Sequence, residues 1–157
     1  TSALYNLGHV YRRGEGVPAS WSRAINWYEK AALKGHVDAA SWLARIFDGL
    51  EGRPLDARRA VPWLKKAARL GDSLAQCNLG VRYHGGDGVR KNLVRAAQWY
   101  RASAEQGESW GQYLLGLSYR DGQGVRRNRQ HARAWLTKAA PHHPEAAKAL
   151  QRLAASA

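Results

Sequence analysis

The sequence is poor in sulfur. Its 157 residues hold one cysteine, Cys77, and no methionine. A single cysteine excludes an intrachain disulfide framework, and a cysteine-based zinc site needs more thiolates. It suits either a reducing compartment or an exported protein that does without disulfides. Acidic residues are also scarce, 12 against 25 Lys and Arg. No stretch approaches the roughly eighteen apolar residues of a membrane span. With Thr at position 1 and no methionine, a removed segment is expected to precede the sequence: a signal peptide or an upstream domain.

What is present places the chain among folded proteins. Apolar residues make up 45% and aromatics 10%, with seven Trp and seven Tyr, which is too apolar for intrinsic disorder. The formal net charge of +13 favours an acidic partner, whether a protein face, nucleic acid or an anionic membrane. Arg outnumbers Lys, 18 to 7. Arg contacts carboxylates and phosphates with two prongs where Lys is a point charge, although a G+C-rich genome gives the same ratio.

The chain repeats every 36 residues. Trp27, Trp63, Trp99 and Trp135 keep that step, as do Ala24, Ala60, Ala96 and Ala132, and Ala32, Ala68, Ala104 and Ala140. Leu7-Gly8 recurs as Leu43-Ala44, Leu79-Gly80 and Leu115-Gly116, and Gly16 as Gly52, Gly88 and Gly124. The repeats are 1–36, 37–72, 73–108 and 109–144, followed by a tail at 145–157. Each carries two helical stretches. In the first, Ala3, Leu7, Gly8 and Tyr11 share one helical face, and Gly14-Glu15-Gly16 stops the helix. Ala24, Trp27, Tyr28, Ala31 and Ala32 share the face of the second. A lone helix pair cannot bury its apolar face, so neighbouring pairs must stack. The periodic Trp are predicted to be core, filling the gaps between pairs. The tail reads as a capping helix, with Pro144 suited to its first turn.

The run Ala3-Leu4-Tyr5-Asn6-Leu7-Gly8-His9-Val10-Tyr11-Arg12-Arg13-Gly14-Glu15-Gly16-Val17-Pro18, with Ala24-Ile25-Asn26-Trp27-Tyr28-Glu29-Lys30-Ala31-Ala32, resembles the Sel-one-like repeat (SLR) family, relatives of the tetratricopeptide repeats. The third and fourth repeats match through Gly86-Asp87-Gly88-Val89 and Gly122-Gln123-Gly124-Val125. The second departs, with Ala44, Phe47 and Leu50 at template positions and Gly49 one place early, which leaves its loop geometry open. The resemblance covers residues 1–144. It implies an all-α fold, a right-handed α-solenoid of four helix-turn-helix repeats in a single domain, 1–157, acting as a protein-binding adaptor.

No pattern points to catalysis, a cofactor, a metal or a small-molecule substrate. His142 and His143 are adjacent and so point in different directions on a helix. Gly14-x-Gly16 and its repeats follow no strand and precede no Gly-Lys-Ser/Thr, so they read as helix-pair turns rather than phosphate loops. Cys77, inside a helix with no His or Asn signature, reads as a small apolar residue. The tryptophans off the template are Trp21, Trp42 and Trp110. Repeat packing does not require them. Each is either locally packed or a binding hot spot.

In the related tetratricopeptide repeats the first helix of each pair lines the groove. Carried over on the Leu-Gly column, this implies a partner-binding surface. The first repeat supplies Tyr5, His9, Arg12 and Arg13, and the second Ser41, Trp42, Arg45 and Asp48. The third gives Cys77, Val81 and His84, and the fourth Trp110, Tyr113, Leu117 and Arg120. Aromatics beside Arg suit a peptide or protein protrusion with acidic groups. The surface lacks the unbroken basic stripe of a nucleic-acid groove. The fourth repeat is the most basic, at +5, and Arg126 and Arg127 in its loop read as a solvated surface or as an edge that draws in an acidic partner.

The expectation is a non-catalytic module that binds another, acidic protein as a bacterial adaptor or scaffold, in the periplasm or envelope rather than the cytoplasm. Two alternatives stand beside it: an immunity protein that neutralises a secreted toxic effector such as a phospholipase, and a nucleic-acid-binding repeat protein.

Overall fold

A computed structural model describes residues 1–155; Ser156 and Ala157, the end of the expected cap, lie outside the described residues. Among those described, the elements are nine α-helices and one short 3-10 turn, with no strand. They pack into two compact units, Thr1–Asp72 and Ser73–Ala157. The first unit holds α1 (Ser2–Arg13), α2 (Trp21–Leu33), α3 (Val37–Phe47), the turn Leu50–Gly52 and α4 (Ala57–Arg69). The second holds α5 (Ser73–Gly85), α6 (Leu93–Glu105), α7 (Ser109–Asp121), α8 (Arg129–Ala139) and the capping helix α9 (Pro144–Ala155). Each expected repeat is one helix pair, α1–α2, α3–α4, α5–α6 and α7–α8.

Every pair is closed by the same clasp. The residue before the second helix is Ser20, Asp56, Asn92 or Asn128. Its backbone N–H donates to the carbonyl of the aromatic nine residues earlier: Tyr11, Phe47, Tyr83 and Tyr119, at 2.7, 2.7, 2.8 and 2.9 Å. Its side-chain oxygen accepts from the N–H three residues on, at Arg23, Arg59, Arg95 and His131. That satisfies one of the donors a helix start leaves open. The same third residue then covers the aromatic ring. Arg23, Arg59 and Arg95 lie 5.5, 4.0 and 5.6 Å from the ring centroids of Tyr11, Phe47 and Tyr83, and His131 lies 4.9 Å from that of Tyr119. In the divergent second repeat, α3 ends in a right-handed residue, Asp48, rather than a left-handed glycine. The left-handed conformations there fall at Gly49 and Glu51, whose φ of 56 is the one positive value among described non-glycine residues, while Gly52 keeps the left-handed place of Gly16, Gly88 and Gly124.

The core corrects one sequence expectation. The alanine columns are buried, apart from half-buried Ala140, but Trp27, Trp63, Trp99 and Trp135 are only half-buried. The buried position is the next residue: Tyr28, Leu64, Tyr100 and Leu136, each at most 4% exposed. Adjacent helical residues point about 100° apart. Tyr28 lies four residues from Ala24, on the face turned to the paired helix, and Trp27 falls on its flank. There the Lys30 ammonium sits 4.4 Å from the Trp27 ring, as Lys138 does at Trp135.

The recurring glycine of the first helix makes room for this column. A methyl at Gly8 would enter the Tyr28 ring, one at Gly80 would lie 2.6 Å from Tyr100, and one at Gly116 2.7 Å from Leu136. Where the second repeat has Ala44, the facing residue is the smaller Leu64.

Candidate functional site

The first-helix faces were expected to carry the binding residues. In the first unit they converge on one aromatic cluster. Tyr5 stacks on His36, the N-cap of α3, with ring centroids 4.4 Å apart, and meets His9 edge-on at 4.6 Å. His9 in turn meets Trp42 edge-on at 5.4 Å. Trp42 lies nearly parallel to buried Tyr28, at 6.3 Å. The guanidiniums of Arg12 and Arg45 each lie 4.9 Å from the Trp42 ring, a cation–π arrangement. Arg12 also pairs with Glu51 at 2.9 Å and is only 15% exposed in its side chain.

Trp42 is thus half-buried beneath two guanidiniums rather than freely exposed. Burial first, then the charges of Arg12 and Arg13, lower the His9 pKa below the ordinary imidazole value. His9 therefore stays neutral at neutral pH. Arg13 stands apart from the cluster and pairs with Glu15 at 3.3 Å. Ser41 donates to the Asp72 carboxylate. Trp21 lies against the guanidinium of Arg53, 4.9 Å away.

The second unit repeats part of this arrangement. Tyr113, in the column of Tyr5, stacks on His143 at 4.4 Å, and Trp110 stacks on the same imidazole at 4.7 Å. His36 and His143 each immediately precede the next helix, so both rings come from a turn. Trp110 is 38% exposed, more than any other described tryptophan. His84 and Gln123 share a hydrogen bond of 3.0 Å, at the positions that Arg12 and Glu51 occupy 72 residues earlier. Arg120 grips Asp121 with two bonds of 2.7 Å. Arg120 and Arg127 line one cavity of about 430 Å³ with Arg152. Arg126 and Arg127 line another of about 520 Å³ with Arg101, Tyr119 and His131.

One groove position is corrected. Cys77 is fully buried and lines no surface, because its place in α5 turns into the packed face. Leu117, like Tyr113, is half-buried and packs against the α8–α9 core. Burial pushes the Cys77 thiol up to about 12. Since the thiolate is the nucleophile, iodoacetamide at about pH 8 is expected to leave Cys77 unmodified in the native protein and to alkylate it fully in denaturant. Intact mass spectrometry reads both states, and rapid native alkylation would contradict the buried placement.

Sequence reasoning missed His36, His143, Arg101, Tyr119 and His131. The Tyr5–Tyr113 column was a legible signal. His36 and His143 were not, because they sit in turns outside the helical pattern, and His131, inside α8, is a single departure from the column of Arg23, Arg59 and Arg95. Among the described residues, no helix is long and apolar enough to cross a membrane, and no group of three or more His, Cys, Asp or Glu could hold a metal ion.

A family model for the Sel1 repeat matches residues 1–36, 37–72, 73–108 and 111–140. Among solved structures, a Sel1 repeat protein from Oxalobacter formigenes is 35% identical, with a TM-score of 0.87 over 97% of this chain and 45% of that one. A protective antigen of uropathogenic Escherichia coli strains, displaying an SLR fold, is 39% identical, with a TM-score of 0.78 over 89% of this chain and 30% of that one. Cysteine-rich protein B of Helicobacter pylori is 25% identical, with a TM-score of 0.63 over 82% of this chain and 93% of that one. The chain spans less than half the length of the first two. No curated protein matches it.

Proposed function

The chain belongs to the Sel1 repeat family, and from that premise we propose that it is a non-catalytic adaptor or scaffold that binds an acidic protein. Sel1 repeats are a protein-interaction fold. The observation that carries the reading here is Trp110. A large aromatic, 38% exposed, is held in place by stacking on His143 and contact with Tyr113. Rigid exposed aromatics lose little entropy on binding and dominate interface energetics. The acidic character of the partner rests on the +13 net charge and on the fourth repeat, where Asp121 is the one acid among six Arg and Lys. Such a field speeds encounter with an oppositely charged protein.

In the first unit the partner would meet the guanidiniums of Arg12 and Arg45 with Trp42 as their platform. Trp42 therefore contributes through the arginines it holds. Tyr5 and His9 line the same helix faces there, with Arg13 as further positive charge; in the second unit the residues that would meet the partner are His84, Arg120, Arg126 and Arg127.

The test begins with a pull-down and mass spectrometry, followed by binding of the purified partner to the parent and to Trp110→Ala. The substitution is expected to weaken binding by about 2 kcal/mol, roughly 30-fold, with an unchanged circular-dichroism spectrum. Added salt should slow association more than it speeds dissociation. Tight binding of mixed-sequence DNA or RNA, falling log-linearly with salt and indifferent to Trp110→Ala, would instead mark a nucleic-acid binder and sink the reading.

A further inference from the structure

The two units place different chemistry at one point of the repeat. In the first unit, Glu29 of α2 reaches the next pair and binds Arg59 at 3.3 Å, and Arg59 covers the Phe47 ring. Asp56 caps α4 beside them. The equivalent positions 72 residues on are Arg101, His131, Tyr119 and Asn128. Both carboxylates are gone, Glu29 giving way to an arginine and Asp56 to an asparagine. The intervening loop changes in the same sense, from Pro54-Leu55 to Arg126-Arg127. A site whose formal charges cancel in the first unit, with Arg53 included, carries +3 in the second.

The second-unit site is an open cavity of about 520 Å³, lined by these residues and by no carboxylate, a size ordinary for a ligand pocket, on the order of 300–1,000 Å³. The guanidinium of Arg101 is anchored by a hydrogen bond to the Tyr119 hydroxyl, which uses one of its five donors. No ion pair engages Arg101, Arg126 or Arg127 among the described residues. Asn128 is the N-cap of the 11-residue α8, so the positive end of that helix opens at the rim.

We propose that this pocket binds a diphosphate group, free or as the end of a nucleotide. The charge selects it. One carboxylate would leave two guanidiniums unmatched. A phosphate monoester, at about −2, would leave one. Two linked phosphoryl groups answer all three, and their oxygens suit the two-pronged donors of arginine. The site shares Arg126 and Arg127 with the protein-binding reading, but it rests on the pocket they line with Arg101, and its test needs no protein partner.

The probes are inorganic pyrophosphate and ADP, titrated calorimetrically into the whole chain at about 50 mM salt. Saturable one-to-one binding is expected. Arg101→Glu restores the first unit's residue at that position and should lower affinity at least tenfold. Arg127→Ala, at an exposed position, should weaken binding in the same direction. Arg58→Glu makes the same charge change on an exposed position of the first unit and should leave affinity within about twofold. Circular dichroism confirms folding of each variant. Tighter binding of ADP than of pyrophosphate would assign a nucleotide, with Tyr119 beside the base. Equal binding would assign the diphosphate alone. No saturable heat with either probe, or an equal loss in Arg58→Glu, would overturn the proposal, the second by showing only diffuse attraction.

Discussion

Gly124→Ala is expected to destabilise the second unit by at least about 3 kcal/mol, while Gly16→Ala, in the same repeat column, costs only about 1 kcal/mol. Both glycines are left-handed, with φ of 74 and 72. A side chain in that conformation costs roughly 1–2 kcal/mol, and this is the whole penalty at Gly16, where an added methyl meets nothing within 4 Å. At Gly124 the methyl would overlap the backbone carbonyl of Leu93 at the start of α6. Backbone cannot swing aside as a side-chain tip does, so the loop must lift away from α6, and overpacking adds roughly 1–3 kcal/mol or more. The Arg126–Arg127 loop would move with it, and pyrophosphate affinity should fall alongside stability. Urea unfolding followed by circular dichroism measures both variants. Equal costs would mean that the fourth loop does not seat on α6.

Tyr100→Ala should cost about 3–5 kcal/mol, and Trp99→Ala, one residue earlier, no more than about 2 kcal/mol. Tyr100 is 3% exposed and faces Gly80, with no space for another atom between them. Burial raises its hydroxyl pKa. Deleting the ring opens a cavity against a glycine, which has no side chain to fill it. Trp99 is the bulkier residue and keeps the more regular column, yet it lies on the flank of α6, half in solvent. The comparison separates the two columns by stability alone. A larger loss for Trp99→Ala would return the tryptophans to the core and Tyr100 to the margin.

The helix pairs, their order and their turns were legible because they depend on local rules that recur. Glycine accepts the left-handed turn after a first helix. Ser, Asp or Asn caps the second. Alanine recurs wherever two helices approach. A 36-residue step makes each rule visible four times. The repeat could not tell which of two periodic neighbours, Trp27 or Tyr28, faces inward, because periodicity gives a spacing and not a direction.

Nor could it tell how the off-template tryptophans are clothed. Trp42 and Trp110 look alike in the alignment, yet one lies under Arg12 and Arg45 and the other opens to solvent on His143. The diphosphate pocket was hidden for the same reason. Arg101 and His131 are 30 residues apart and belong to different repeats. Only the stacking of α6 on α7 brings Arg101 to Tyr119 and the loop beyond it. Sequence determined what each helix pair is, since that is settled by neighbours along the chain. Tertiary structure decided what each surface offers, since a side chain is covered or left open by residues from the adjoining pair.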